Sequence, residues 1–183
     1  MIHCIILAAG FGKRFSGDKL NYIIDGKQMY RHIVDKLINL RDNGTKIDIT
    51  IVSREGQLKD CPLSIVNNTF AEEGISTSIR AGLNAISKDD GPVAFFVADQ
   101  PYLKQENIEA FFREFESGTA QIMCAAHDDI LGNPVIFDRK YEEELKKLQG
   151  DCGGKKVVLK HFEECRKFEI ADIRELSDVD FKP

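Results

Sequence analysis

No apolar stretch among the 183 residues is long enough to span a bilayer, no C-x-x-C pair occurs, and Lys plus Arg (25) are outnumbered by Asp plus Glu (30). Each absence removes a class of function. A formal net charge of −5 argues against a nucleic-acid or anionic-membrane partner. The chain opens directly on an apolar segment, with no basic flank and no small-residue cleavage site, so a cytoplasmic protein is expected. Repeats, low-complexity tracts and linkers are also missing, which predicts one domain over 1–183.

What is present is ordinary for a soluble globular protein: 43% hydrophobic and 30% charged residues. The five cysteines, Cys4, Cys61, Cys124, Cys152 and Cys165, are scattered. Cys4 and Cys124 lie inside apolar runs and read as buried reduced thiols. Cys152, between Asp151 and two glycines, has nothing nearby in sequence to activate it.

The pattern alternates between strands and helices. Apolar runs at 2–8, 47–52, 63–66, 93–98, 120–126 and 134–137 predict strands. Between them, Ile33, Leu37 and Leu40 mark a helix over 29–40, and Ile75, Ile79, Leu83 and Ile86 a second one. Ile108, Phe111, Phe112 and Phe115 form a third apolar stripe, and Tyr141, Leu145 and Leu148 a fourth. The first and fourth strands are almost wholly apolar, as central parallel strands are when helices cover both faces. The predicted fold is α/β: a doubly wound, mostly parallel, Rossmann-like sheet.

In such a fold the ligand lies beyond the carboxyl ends of the central strands. After residue 8 the chain reads A-G-F-G-K-R-F-S-G-D-K-L. This loop fails G-x-G-x-x-G because Phe15 stands at the third glycine. It also fails the P-loop spelling, since Gly17 is followed by Asp18-Lys19-Leu20. What remains is a strand end, two glycines (Gly10 and Gly12) whose amides can converge on an anion, and the cations Arg14 and Lys19. Two cations and an amide nest suit a triphosphate; a glycine turn with solvent-facing basic residues is equally compatible with the spacing.

Asp99 directly follows a buried strand and is placed to hold Mg²⁺; as an alternative it could cap the next helix, which however starts nearer Lys104. At "EEGISTSIRAGL", Gly74 precedes a helix whose first turn carries Ser76, Thr77 and Ser78. Hydroxyls and free amides there can bind phosphate or a base edge.

These stretches resemble one family. Leu7-Ala8-Ala9-Gly10, Arg14, Gly17 and Lys19 resemble the L-A-A-G-x-x-x-R-x-x-G-x-K opening of the molybdenum cofactor cytidylyltransferases, MobA-like members of a nucleoside-triphosphate transferase superfamily. Gly74-Ile75, Ser78-Ile79 and Gly82-Leu83 match a second motif, Asp99-Gln100-Pro101 a third, Gly132-Asn133-Pro134 to Phe137 a fourth, and Leu148 to Gly153 a fifth. The resemblance implies a nucleotide-diphospho-sugar transferase-like fold. It also implies transfer of CMP from CTP to the terminal phosphate of molybdopterin, with release of pyrophosphate and dependence on Mg²⁺. The opening L-A-A-G rather than L-A-G-G favours CTP over GTP.

On this reading Arg14, Lys19 and Asp99 are catalytic, and Leu7, Ala8, Ala9, Gly10, Gly12, Ser76 and Ser78 help bind the nucleotide. Asp99 and Asp151 are metal ligands, although Asp151 reads equally as a turn aspartate before glycines. Asn133 and Pro134 shape the acceptor side. A molybdenum hydroxylase is implied as a transient recipient. The chain departs from the family at "DIRELSDV" (172–179), where Arg174 and Glu175 replace an aspartate and a threonine, and at Lys155, which replaces an arginine. Alternative readings are a guanylyl- or cytidylyltransferase acting on another phosphate acceptor (a sugar or isoprenoid phosphate), a nicotinamide-dependent oxidoreductase, and a non-catalytic cofactor carrier.

Overall fold

In the computed structural model, which describes residues 1–12, 14–15, 17–88 and 91–182, the apolar runs assemble into one seven-stranded sheet. The strands are β1 (Ile2–Leu7), β4 (Ile47–Ser53), β5 (Ile65–Asn67), β6 (Val93–Val97), β7 (Ile122–His127), β8 (Ile130–Phe137) and β9 (Cys165–Glu169). Their order is β5-β4-β1-β6-β8-β7-β9. All run parallel except β8, which is antiparallel to both β6 and β7. A two-stranded ribbon of β2 (Ile23–Ile24) and β3 (Lys27–Gln28) precedes the first crossover helix.

The strand period of two divides the core into two layers. Cys4, Ile6, Ala94 and Phe96 face α1 (Met29–Asp42) and α3 (Gln105–Ser117), where Ile33, Leu37, Phe111 and Phe112 meet them. Ile5, Val93 and Phe95 face the other way, onto α2 (Ile75–Ala85), α4 (Glu142–Lys146) and α5 (Lys155–Lys160). Each fully buried Phe or Leu contributes about 1.5–3 kcal/mol, so these two layers supply most of the driving force. α2 lies unusually close to the sheet: a Cβ on Gly82 would stand 2.6 Å from Cγ2 of Ile5.

The doubly wound sheet and its central pair, β1 and β6, match the expectation. The departures are local. The run at 134–137 is the inner end of an eight-residue antiparallel strand, paired through a tight turn with β7. Tyr141, Leu145 and Leu148 are all buried, yet only 142–146 is α-helix; Tyr141 ends a 3-10 turn and Leu148 lies beyond the helix. The strand expected at 63–66 forms at 65–67. β9 was not expected, because "CRKFE" has one fully buried residue, Phe168, and pairs along only one side as an edge strand.

All five cysteines are free. Burial pushes the Cys124 thiol up to about 12, which fits a core role. No helix among the described residues is long and apolar enough to cross a membrane.

Candidate active site

β1 and β6 end side by side. The Ala8 amide donates to the Val52 carbonyl at 2.8 Å, and the Ala98 amide to the Leu7 carbonyl at 3.1 Å. Beyond those bonds the chain leaves the sheet on both strands, and a cavity of about 680 Å³ opens. That is the size range of small-molecule sites.

The glycine loop forms one wall: Leu7, Ala8, Ala9, Gly10, Gly12, Arg14 and Lys19 all line it. A Cβ on Gly10 would meet nothing within 4 Å, so the backbone there is open to a ligand. Gly12 has a different role, since a Cβ would press on the Lys19 side chain at 3.2 Å. The loop is also tied down from outside. Gln57 Nε2 donates to the Gly10 carbonyl at 3.1 Å, and the Arg54 guanidinium stacks 4.2 Å over the Phe11 ring.

Asp99 stands at the end of β6, and it caps no helix: α3 begins at Gln105 with Lys104 as its N-cap. Instead its carboxylate accepts from Lys19 Nζ at 2.6 Å. The same ammonium reaches Asp180 Oδ1 at 3.1 Å, and Arg14 holds Asp180 Oδ2 at 2.8 Å. The Lys19 side chain is only 10% exposed. Its burial pulls the pKa down, but the hydrogen bonds and charges of Asp99 and Asp180 outweigh that and raise it, so the ammonium stays charged. Asp180 is held below the usual carboxylate range, first by Lys19 and then by Arg14. Asp178 moves in the opposite direction, up to about 6, through burial and the neighbouring Asp99 charge.

The third wall comes from α2 and the turn packed on it. Gly74 adopts φ +109° and ψ 174° as the N-cap of α2. A Cβ there would lie 2.3 Å from the carbonyl carbon of Gly150. The Ser76 amide donates to the Gly150 carbonyl at 3.2 Å, and Arg80 holds the Lys146 and Leu148 carbonyls, so the turn bearing Asp151 is fixed to the helix. Asp151 and Ser78 line the cavity.

The three hydroxyls of this turn divide. Thr77 Oγ1 bonds the Gly74 and Phe70 carbonyls, and Ser78 Oγ accepts from Asn68 at 2.9 Å. Ser76 is 1% exposed, and it stands behind the wall instead of lining it. Asn133 and Pro134 are likewise outside the lining. Continuing the Phe95–Val135 register by two residues sets Asn133 level with Val97, at the same end of the sheet as Asp99.

Asp178 and Asp180 are the residues that sequence reasoning missed. They arrive from the C-terminal segment, more than 75 residues from Asp99 in the chain. The alternating acids of "SDVD" were the available signal, but nothing local says that this tail returns to the glycine loop. Among the described residues, no group of three or more His, Cys, Asp or Glu side chains forms a ready metal cage.

The MobA-like NTP transferase domain family matches residues 4–165. Among curated proteins, the Bifunctional protein GlmU of Clostridium beijerinckii is 30% identical over 136 residues, 70% of this chain and 29% of that protein. The chain thus spans under a third of that relative's length. Among solved structures, Rv0371c from Mycobacterium tuberculosis superposes with a TM-score of 0.79 at 20% identity, over 98% of this chain and 92% of that one. The same protein in complex with manganese gives 0.74 at 19% identity, over 93% and 89%. The 4-diphosphocytidyl-2C-methyl-D-erythritolsynthase of Anaerococcus prevotii gives 0.69 at 16%, over 98% and 90%. At these identities the structural likeness is one of fold.

Proposed function

Because this chain belongs to the MobA-like NTP transferase family of nucleotidyltransferases, we propose that it transfers CMP from CTP to the terminal phosphate of molybdopterin. The observation that carries this reading is the cluster of Lys19, Arg14, Asp99 and Asp180 at the carboxyl ends of β1 and β6. CTP is favoured by the L-A-A-G opening, where Ala9 in place of glycine narrows the wall beside the base. The likeness in fold to an enzyme named for a diphosphocytidyl product supports the same choice.

The reaction asks little acid–base chemistry of the protein. The attacking oxygen belongs to a phosphate that is already an anion. It forms a new P–O bond to the α-phosphorus, and the bond from that phosphorus to the pyrophosphate oxygen breaks. Position and charge must do the rest. Lys19 and Arg14 would take the charge that develops on the leaving pyrophosphate. The amides of the glycine loop and Ser78 would hold the nucleotide, with Ser76 fixing the α2 turn behind them. Asn133 and Pro134 would shape the acceptor side.

The cavity's own charge calls for a divalent cation. Among the described residues its lining carries Glu72, Asp99, Asp151, Asp178 and Asp180 against Arg14 and Lys19, five acids to two bases. A polyphosphate would face those five carboxylates as well as the two cations. Carboxylates that are few and not caged suit Mg²⁺, which completes its shell with phosphate oxygens and water. Asp99 would hold the ion with Asp180, and Asp151, which also lines the cavity, would be a further ligand. Mg²⁺ there would neutralise phosphate oxygens.

The test is pyrophosphate release from CTP, GTP and ATP in the presence of molybdopterin and Mg²⁺. CTP-dependent release that requires molybdopterin is expected. Release with a sugar or isoprenoid phosphate instead would move the protein to another acceptor. No release with any pair would leave a carrier that hands the cofactor to a molybdenum hydroxylase.

A further inference from the structure

The last eleven described residues have no strand and only one short 3-10 turn, Ile173–Leu176, yet they return to the site by a series of specific contacts. A segment with so little regular structure is mobile unless something ties it down. Here the first tie is Glu175, which is 2% exposed. Its Oε2 accepts from the Lys104 amide at 3.0 Å and from Asn107 Nδ2 at 2.7 Å, and its Oε1 pairs with Lys104 Nζ at 3.0 Å. α3 has no side-chain cap of its own, so this carboxylate satisfies a free amide at the helix start. Next comes Leu176, seated where Gly132 leaves room: a Cβ on that glycine would stand 3.2 Å from the leucine side chain.

The second polar tie is Gln100, 4% exposed, whose Nε2 donates to the Leu176 carbonyl at 2.8 Å and to Asp178 Oδ1 at 3.0 Å. Both hydrogens of the amide group are therefore spent on the tail. The Val179 amide then donates to the Asp99 carbonyl at 3.0 Å, and Asp180 meets Lys19 and Arg14. Three consecutive contacts thus pin the tail to the turn that follows β6, the turn that also carries Asp99.

We propose that Gln100 and Glu175 are positioning residues: they seat the C-terminal segment as a strap across the end of β6, and through it they deliver Asp178 to the cavity wall and Asp180 to Lys19 and Arg14. Neither lines the cavity itself. A buried carboxylate such as Glu175 costs stability unless fully paired, and its three donors all lie at the α3 start where the strap must dock. An Asp on a loose segment would visit the site only part of the time; one held at two anchors is pre-organised. What the delivered carboxylates do there rests on the nucleotidyl-transfer reading above.

The experiment is a double-mutant cycle on the full chain with two readouts. Hydrogen exchange of the Val179 amide reports the strap, and electron paramagnetic resonance of added Mn²⁺ reports the carboxylates. Gln100→Leu keeps a branched side chain of similar bulk, one methylene shorter, and removes both donors. It is expected to reduce Val179 protection at least tenfold and Mn²⁺ affinity about tenfold, as loss of a residue behind a metal ligand does. Asp180→Asn is expected to weaken Mn²⁺ by at least as much, and the double variant no further than Asp180→Asn alone. Glu175→Gln, which keeps an acceptor oxygen and the side-chain shape, should show the same two effects at reduced size. Unchanged Val179 protection in Gln100→Leu, or Mn²⁺ losses that simply multiply in the double variant, overturns the proposal. If wild-type protein binds no Mn²⁺ even with CTP present, the nucleotidyl-transfer reading is what fails, and the seating of the strap is decided by Val179 protection alone.

Discussion

Gly74→Ala puts a methyl group where the structure has no room and a side chain where the backbone excludes one. At φ +109° and ψ 174° Gly74 sits in a region that only glycine populates, and forcing another residue into it costs about 1–3 kcal/mol. The added Cβ would lie 2.3 Å from the Gly150 carbonyl carbon and 2.6 Å from the Asp151 amide. These are backbone atoms, which cannot swing aside as a flexible side chain would, and overpacking of this kind costs about another 1–3 kcal/mol. The sum, about 2–6 kcal/mol, is a large share of the stability of a typical domain. In urea, with a slope of about 2 kcal/mol/M, the unfolding midpoint should fall by about 1–3 M without a change of slope. Gly10→Ala is the control, because a Cβ there meets nothing within 4 Å; its midpoint should move by no more than about 0.5 kcal/mol equivalent while nucleotide binding weakens. A Gly74→Ala protein within about 1 kcal/mol of wild type would refute the reasoning.

Lys19→Met should lower turnover by at least a hundredfold in a pyrophosphate-release assay, because it removes a 10%-exposed cation shared by Asp99 and Asp180. Arg14→Ala should cost only about tenfold, since that side chain is 74% exposed and solvent can replace part of its effect. Asp99→Asn should abolish Mg²⁺-dependent turnover with the fold intact by circular dichroism; unchanged turnover would remove Asp99 from the metal site. Asp178 supplies a pH signature. Its folded value, about 6, lies above its ordinary 3.8, so its penalty is absent below about pH 4, grows through the window to 6 and is complete above it. Metal-free Asp178→Asn should therefore match wild type in stability near pH 4 and exceed it by about 1 kcal/mol at pH 7, a figure discounted because the carboxylate, crowded by the strap and by Asp99 on one side, still faces solvent on the other. A difference that does not vary with pH would contradict that origin.

The parts of this molecule that follow from local pattern were legible in the sequence. β1 and β6 could be placed because almost wholly apolar runs of five or six residues, too short for a helix, fit doubly covered strands. α3 could be placed because Ile108, Phe111 and Phe112 repeat at the helical period. From those strands followed the position of the glycine loop and of Asp99. What could not be read was long-range. The reversal of β8 depends on its hairpin with β7, and nothing in "PVIF" distinguishes a parallel from an antiparallel neighbour. The partners of Lys19 could not be read either, since Asp180 is 161 residues away. The hydroxyls at 76–78 looked equivalent in sequence and are not: all three are buried, but only Ser78 lines the cavity, while Thr77 bonds the Phe70 and Gly74 carbonyls and Ser76 lies behind the wall. Glu175, which stood out only as a departure from the family's tail, turns out to be that tail's buried anchor.

The central claim is that the loop from Gly10 to Lys19 grips a nucleoside triphosphate. Calorimetric titration of the protein with Mg²⁺-bound CTP, GTP and ATP in turn, repeated on Lys19→Met, tests it most directly. The account predicts saturable binding selective for CTP, lost or weakened at least tenfold in the variant. Absence of binding by all three, or CTP binding that does not change when Lys19 is replaced, would contradict it.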